Sequence, residues 1–247
     1  MAIGKVLYPD GRPAYVSLSG KNFLPYLTAG FCPGRSQANV VLLPNKFAAD
    51  FRLLCARKPV SCPLFGETKP GDPQVPEALA ADSDVRTDCL PTMYISRDGV
   101  FAEQKESIEK EWRDDSVAFF IGCSYSFEAA LVKNELPPRH LELNRAVLVN
   151  KTNYRLRYAG VFGGHMEVSM RPYRLVGFER MRDITRPFVK THGERVAWDG
   201  EVPAYFGSGV TPQLSVMDSG ISGEVVGHTP GRMLMLDIKD EDICLSF

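Results

Sequence analysis

The chain lacks any long hydrophobic run. Its longest purely apolar stretch, Val117 to Ile121, falls far short of the roughly 18 residues a membrane-spanning helix needs. The N-terminus shows no basic segment followed by an apolar one, so neither an anchor nor a secretory leader is expected. Excess charge is lacking too: 29 Lys and Arg stand against 30 Asp and Glu, a net charge of -1. No global field draws the chain toward nucleic acid or anionic lipid, and any partner must be recognised locally. Metal motifs are missing as well. The six cysteines include no C-x-x-C pair, and the four histidines are too far apart to form a ligand motif, so neither a structural zinc nor another metal is expected. With 247 residues there is enough chain to bury a core without disulfides, and reduced thiols in a cytoplasmic setting are the expectation.

The pattern that is present is that of an α/β protein. Val6-Leu7-Tyr8 and Ala14-Tyr15-Val16 flank the turn residues Pro9 to Arg12, which predicts a hairpin over Lys5 to Leu18. Phe47, Ala48, Phe51, Leu54 and Cys55 recur at helical spacing between Pro44 and Pro59, predicting an amphipathic helix over Asn45 to Lys58. Pro63 to Asp88, rich in Pro, Gly and acidic residues, reads as a long surface loop. Ser116 to Ile121, continuously apolar and ended by Gly122, reads as a strand buried on both faces, followed by a helix over Phe127 to Asn134. Alternation is clearest in Met166 to Met170, closed by Arg171-Pro172. A helix near Leu175 to Ile184 follows, then a turn at Asp199-Gly200 and a strand Val202 to Phe206. A helix entered through Thr211 as cap and Pro212 as first residue comes next, then strands Glu224 to Gly227 and Met233 to Ile238. The expected architecture is a mixed sheet with flanking helices in a main domain, residues 1–140 together with 200–247. A smaller α+β domain, 141–199, is inserted into it.

Two strand-to-helix turns stand out. In Gly122-Cys123-Ser124-Tyr125-Ser126-Phe127-Glu128 a buried strand meets a helix start, where free backbone N–H groups and the helix dipole suit a carboxylate or phosphate. Ser124 and Ser126 are candidate binding residues there. Cys123, with a thiol pKa lowered by that setting, is a candidate nucleophile, and Glu128 a candidate proton carrier. The plainer reading is that these small residues cap the helix and pack. Gly207 to Gln213 repeats the logic, with Thr211 and Gln213 as binding candidates, although its glycines can equally mark an ordinary tight turn. Arg86, beside Asp88, and Arg171 offer forks that match a carboxylate. Either arginine can instead serve a salt bridge. His165 and His228, in glycine-bordered turns, and Asp88 are further candidate proton carriers.

Taken together, several segments resemble the hydro-lyase family whose eukaryotic branch includes D-glutamate cyclase. The resemblance runs from about Thr28 to Asp237. It is carried by Gln37-Ala38-Asn39 with Leu43-Pro44, Cys62-Pro63-Leu64, Pro70-Gly71-Asp72-Pro73, Arg86-Thr87-Asp88 and Trp112-Arg113-Asp114-Asp115. Gly122 to Glu128, Thr152-Asn153, Val168 to Pro172, His192-Gly193 and Gly209 to Gln213 complete it. It departs from the family in the hairpin before Thr28 and at Arg232, where the family tends to carry His. The resemblance implies a two-part α/β architecture and carbon–oxygen lyase chemistry, for the cyclase the loss of water as D-glutamate closes to 5-oxo-D-proline. That chemistry needs a clamp for the α-carboxylate, expected from Arg86 or Arg171, and proton carriers, expected among Glu128, Asp88 and His165. Cys123 to Ser126 would stabilise developing negative charge. It demands no cofactor. The expected partner is a small-molecule acid, with neither nucleic acid nor membrane and with a homo-oligomer left open. The alternatives are a hydratase or hydrolase of another small acid on the same scaffold, or a carboxylate-binding module without turnover.

Overall fold

The computed structural model describes residues 28–30, 33–88, 93–143, 145–193, 195–197 and 203–245. The hairpin expected over Lys5 to Leu18, Cys32, Cys89 and the turn at Asp199-Gly200 lie outside the described residues. The chain is of the α/β class: two sheets with flanking helices, in which every registered pair of described strands is antiparallel.

The larger sheet has β1 (Arg35–Pro44) at its centre. Along one side of β1 runs β5 (Ser116–Gly122), with β2 (Leu64–Glu67) outside it. Along the other side β1 pairs first with β11 (Leu234–Lys239) and then with β10 (Glu224–His228), which leads to β3 (Met93–Arg97) and the edge strand β4 (Val100–Lys105). β1 and β5 are buried on both faces, and their side chains divide by strict alternation. Ala38, Val40, Leu42, Ala118 and Phe120 enter one core, while Val41, Leu43, Val117, Phe119 and Ile121 enter the other. Helix α1 (Ala48–Arg57) covers the second face with Ala48, Phe51, Leu54 and Cys55, the stripe its spacing predicts. The first face is covered by the segment 68–88. That corrects the expectation of a surface loop: after β2 its Val75, Leu79, Ala80 and Val85 are buried in the core, and Ala81 N–H donates to Asp237 Oδ2 at 3.0 Å. Proline and glycine set its path, but its spaced apolar residues decide where it lies.

The smaller sheet runs β6 (Leu148–Arg155), β7 (His165–Pro172), β9 (Pro203–Gly207), β8 (Arg195–Ala197). Between it and α2 (Glu128–Lys133) and α4 (Leu175–Thr185) lies a third core of Phe127, Leu131, Phe178, Met181, Phe188 and Phe206. Helix α5 (Val210–Met217) starts one residue before the expected cap, so Pro212 is its third residue and Thr211 does not cap it. Instead Thr211 Oγ1 accepts from Glu167 N–H at 2.9 Å and donates to Glu167 O at 3.1 Å, tying α5 to β7. Gly209 lets the chain pass close to β1: a Cβ there would lie 2.1 Å from the Asn39 amide and force that side chain to move. Among the described residues no helix is long and apolar enough to cross a membrane.

Candidate active site

β5 ends at Gly122, where a side chain would collide with the Lys190 carbonyl at 1.9 Å. The chain then turns through a 3-10 segment, Ser124–Phe127, into α2. This turn is stapled to β1: Cys123 N–H donates to Gln37 O at 3.0 Å, and Ser126 Oγ accepts from Gln37 N–H at 2.9 Å. Glu128 therefore starts α2 as a buried carboxylate, 1% exposed, which is costly without a counter-charge. Arg171 of β7, fully buried, supplies it. Its Nε and Nη2 donate to Glu128 Oε1 at 3.0 and 2.5 Å, Nη2 also to Ser124 Oγ at 2.9 Å, and Nη1 to Ser169 Oγ at 3.0 Å. The guanidinium lies 4.8 Å from the Phe127 ring centroid and 5.4 Å from that of Phe206, which hold it in place. His140, from the helical turn α3 (Arg139–Glu142), stacks on Tyr125 and brings Nε2 to 3.1 Å from the same Oε1, out of hydrogen-bond alignment.

The contacts of Arg171 and His140 with Glu128 all fall on one oxygen, Oε1. Glu128 Oε2 is buried and has no hydrogen-bond partner among the described residues. A buried acceptor left unsatisfied costs on the order of 1–3 kcal/mol, more when charged, so such atoms are uncommon outside places where a ligand or water completes them. Glu128 lines a cavity of about 200 Å³, together with Arg35, Gln37, Tyr125, Lys133 and Asp240. Drug-sized ligands occupy roughly 300–1,000 Å³, so this one suits a small acid.

Asp240 enters the cavity from the 3-10 turn that follows β11. It is 7% exposed, and Ser36 Oγ donates to its Oδ1 at 3.0 Å. Burial pushes its carboxyl up to about 7, against the opposing pull of the Ser36 hydrogen bond and the Arg35 charge. Near neutral pH it is thus part protonated and can give or take a proton. Tyr125 is held protonated by burial.

The residues singled out by sequence fall into four places. Cys123, Ser124, Ser126 and Glu128 share one turn, and Arg171 of β7 joins them in one cluster. Within it the cysteine expectation is corrected: burial pushes the Cys123 thiol up to about 12 rather than down, so it is no thiolate at neutral pH. Arg171 stands behind the cavity wall, committed to Glu128 and the serines. Thr211, Gln213 and His228 are buried in the body of the fold: Gln213 Nε2 lies 2.8 Å from His228 Nδ1, which also accepts from Val40 N–H at 3.0 Å. Burial lowers His228 to about 4, in keeping with a ring that serves as an acceptor. His165 is half-buried at the start of β7, opposite Arg155. Arg86 and Asp88 lie apart, engaged within their own turn. Arg86 Nε and Nη2 grip Asp84 at 2.6–3.1 Å, and Asp88 accepts from Asp84 N–H and from Thr87 Oγ1.

The site residues that sequence reasoning missed are Arg35, Gln37, Lys133, His140 and Asp240. Gln37 carried a signal, since it is a polar residue flanking the apolar run Val40 to Leu43. Asp240 carried none that separates it from Glu241 and Asp242; only its burial does. Among the described residues no group of three or more His, Cys, Asp or Glu is arranged to hold a metal ion.

A curated protein from Schizosaccharomyces pombe, named "putative hydro-lyase", is 43% identical across 85% of this chain and 79% of its own length. Proteins of the same name from Burkholderia lata and Bacillus pumilus are 39% and 38% identical. They span 88% and 96% of this chain and 93% and 98% of their own lengths. An α/β chain in which buried Glu128 and Asp240 line a small cavity is thus similar over most of its length to proteins named as hydro-lyases. The family model described as D-glutamate cyclase matches residues 117–201 and 197–237, and the chain belongs to this family.

Proposed function

We propose that the chain is a hydro-lyase that closes D-glutamate to 5-oxo-D-proline with loss of water, in the cavity walled by β1, α2 and the turn at Asp240. The observation that carries this reading is the buried Glu128 Oε2, which has no hydrogen-bond partner among the described residues and belongs to a residue that lines a small cavity. A carboxylate oxygen fixed there by Arg171 is suited to receive the substrate's ammonium group and to take its proton, which frees the nitrogen lone pair for attack. Arg35 and Lys133 on the same wall supply positive charge for the substrate carboxylates. Small size and mixed charge fit an amino dicarboxylate, and membership of the family supports the reaction type. Ring closure of glutamate is intramolecular, and a cavity that holds the amine against the side-chain carboxyl fixes the folded conformer it needs, a source of acceleration.

NMR of the purified chain incubated with D-glutamate, L-glutamate and 5-oxo-D-proline tests the reading, with Glu128→Gln beside it. This variant keeps an acceptor for Arg171 but not the basic oxygen. The expected result is 5-oxo-D-proline from the D isomer and a turnover about 10²–10⁴-fold lower in the variant, the range of a lost proton carrier. Absence of turnover by the unaltered chain contradicts the substrate assignment, and equal turnover by a folded Glu128→Gln contradicts the site.

A further inference from the structure

The reaction moves two protons from the substrate nitrogen to the departing oxygen, and Glu128 accounts for only one end of that transfer. We infer that Asp240 is the general acid that protonates the leaving oxygen. This inference rests on the function proposed above and adds to it a residue outside the matched segments, which end at position 237.

The placement comes from geometry. Asp240 and Glu128 line the same cavity, delivered by different elements, the turn after β11 and the start of α2. Ser36 Oγ donates to Asp240 Oδ1 at 3.0 Å and fixes the carboxyl. Asp240 N–H is bonded to Gly34 O at 3.0 Å, and its carbonyl accepts from Cys244 Sγ at 3.2 Å, so the backbone that carries the carboxyl is pinned. The groups around it are Arg35 and Ser36 from β1, Glu128 and Lys133 from α2, Tyr125 from the preceding turn, and Glu241, Asp242 and Cys244 from its own segment. Burial outweighs the nearby Arg35 and holds the carboxyl part protonated near neutrality.

The steps balance. Glu128 takes one proton from the ammonium group. The neutral nitrogen attacks the side-chain carboxyl carbon as Asp240 protonates one of its oxygens, forming the N–C bond of a tetrahedral intermediate. The nitrogen then returns its surplus proton to the Asp240 carboxylate. As the C–O bond breaks, the carbonyl re-forms from the remaining oxygen, and the leaving hydroxyl takes that proton and departs as water. Glu128 is left protonated and Asp240 ionised. Transfer of one proton from the first to the second resets the site.

The test is the pH dependence of D-glutamate turnover, and of 5-oxo-D-proline binding by calorimetry, in the unaltered chain, Asp240→Asn and Asp240→Glu. Turnover should fall as pH rises through about 7 in the unaltered chain. Lactam binding should weaken over the same interval as Asp240 loses the proton it donates to the carbonyl. Asp240→Asn should lose about 10²–10⁴-fold in kcat and the pH dependence of binding, and Asp240→Glu should recover part of both. Turnover or binding whose pH profile Asp240→Asn leaves unchanged overturns the role of Asp240 alone. A chain that neither binds nor converts these compounds overturns the proposed function and this assignment with it.

Discussion

The two strand-to-helix turns look alike in sequence and do different work. Cys123 to Glu128 and Gly207 to Gln213 both follow a buried strand with small residues and open a helix. At the second, every singled-out side chain is used internally: Thr211 bridges both backbone groups of Glu167, and Gln213 is engaged with His228. At the first, the serines are consumed in the same way, by Arg171 and by Gln37 N–H, but Glu128 keeps one buried oxygen with no partner. The difference is one of hydrogen-bond accounting. A turn whose polar groups are all paired holds a fold together, whereas one that leaves an acceptor open beside a cavity has something to offer a ligand.

Substitutions can break that comparison. The largest effect on the fold is expected from Arg171→Met, which strands Glu128 without its counter-ion in the interior; a loss of about 3–5 kcal/mol in chemical denaturation is predicted, as for other broken buried pairs. A change below about 1 kcal/mol would mean the pair does not position Glu128. Thr211→Val should cost about 1–3 kcal/mol, because Glu167 N–H loses its acceptor, while turnover per folded molecule stays the same. A selective loss of turnover would make the second turn part of the site. The smallest effect is expected from Cys123→Ala: its thiol is buried and protonated, so turnover per folded chain should not change. Inactivation would restore the nucleophile reading.

Elements whose pattern is set by burial were legible. β5 reads as a doubly buried strand because all of its side chains are inside, and α1 reads as a helix because only one stripe is. β1 was not, although it is the central strand. Its Ser36, Gln37 and Asn39 are polar yet nearly fully buried; Ser36 donates to Asp240, Gln37 Nε2 to Thr28 O and Asn39 to the carbonyls of Ile121 and Gly122, and most of these partners come from distant parts of the chain. The hairpin of β3 and β4 did carry a local signal, Asp98-Gly99, whose φ angles of 50° and 78° are those of a tight hairpin turn. β4 concealed it, because its apolar Val100 and Phe101 are exposed while Glu103 and Lys105 are half-buried, the reverse of the usual alternation. The site divides in the same way. Glu128 could be picked out because it follows a recognisable strand end. Asp240 sits in an acidic run that looks like solvated surface, and only the packing of β1 against the turn after β11 buries it.

The central claim is that the cavity at Glu128 Oε2 is where the substrate sits, and a crystal structure of the chain with D-glutamate bound tests it most directly. The account predicts the ligand's nitrogen at roughly 2.7–3.2 Å from Glu128 Oε2, with a carboxylate toward Arg35 or Lys133 and the other toward Asp240. A ligand held instead at Arg86, with the Glu128 cavity empty, would contradict it.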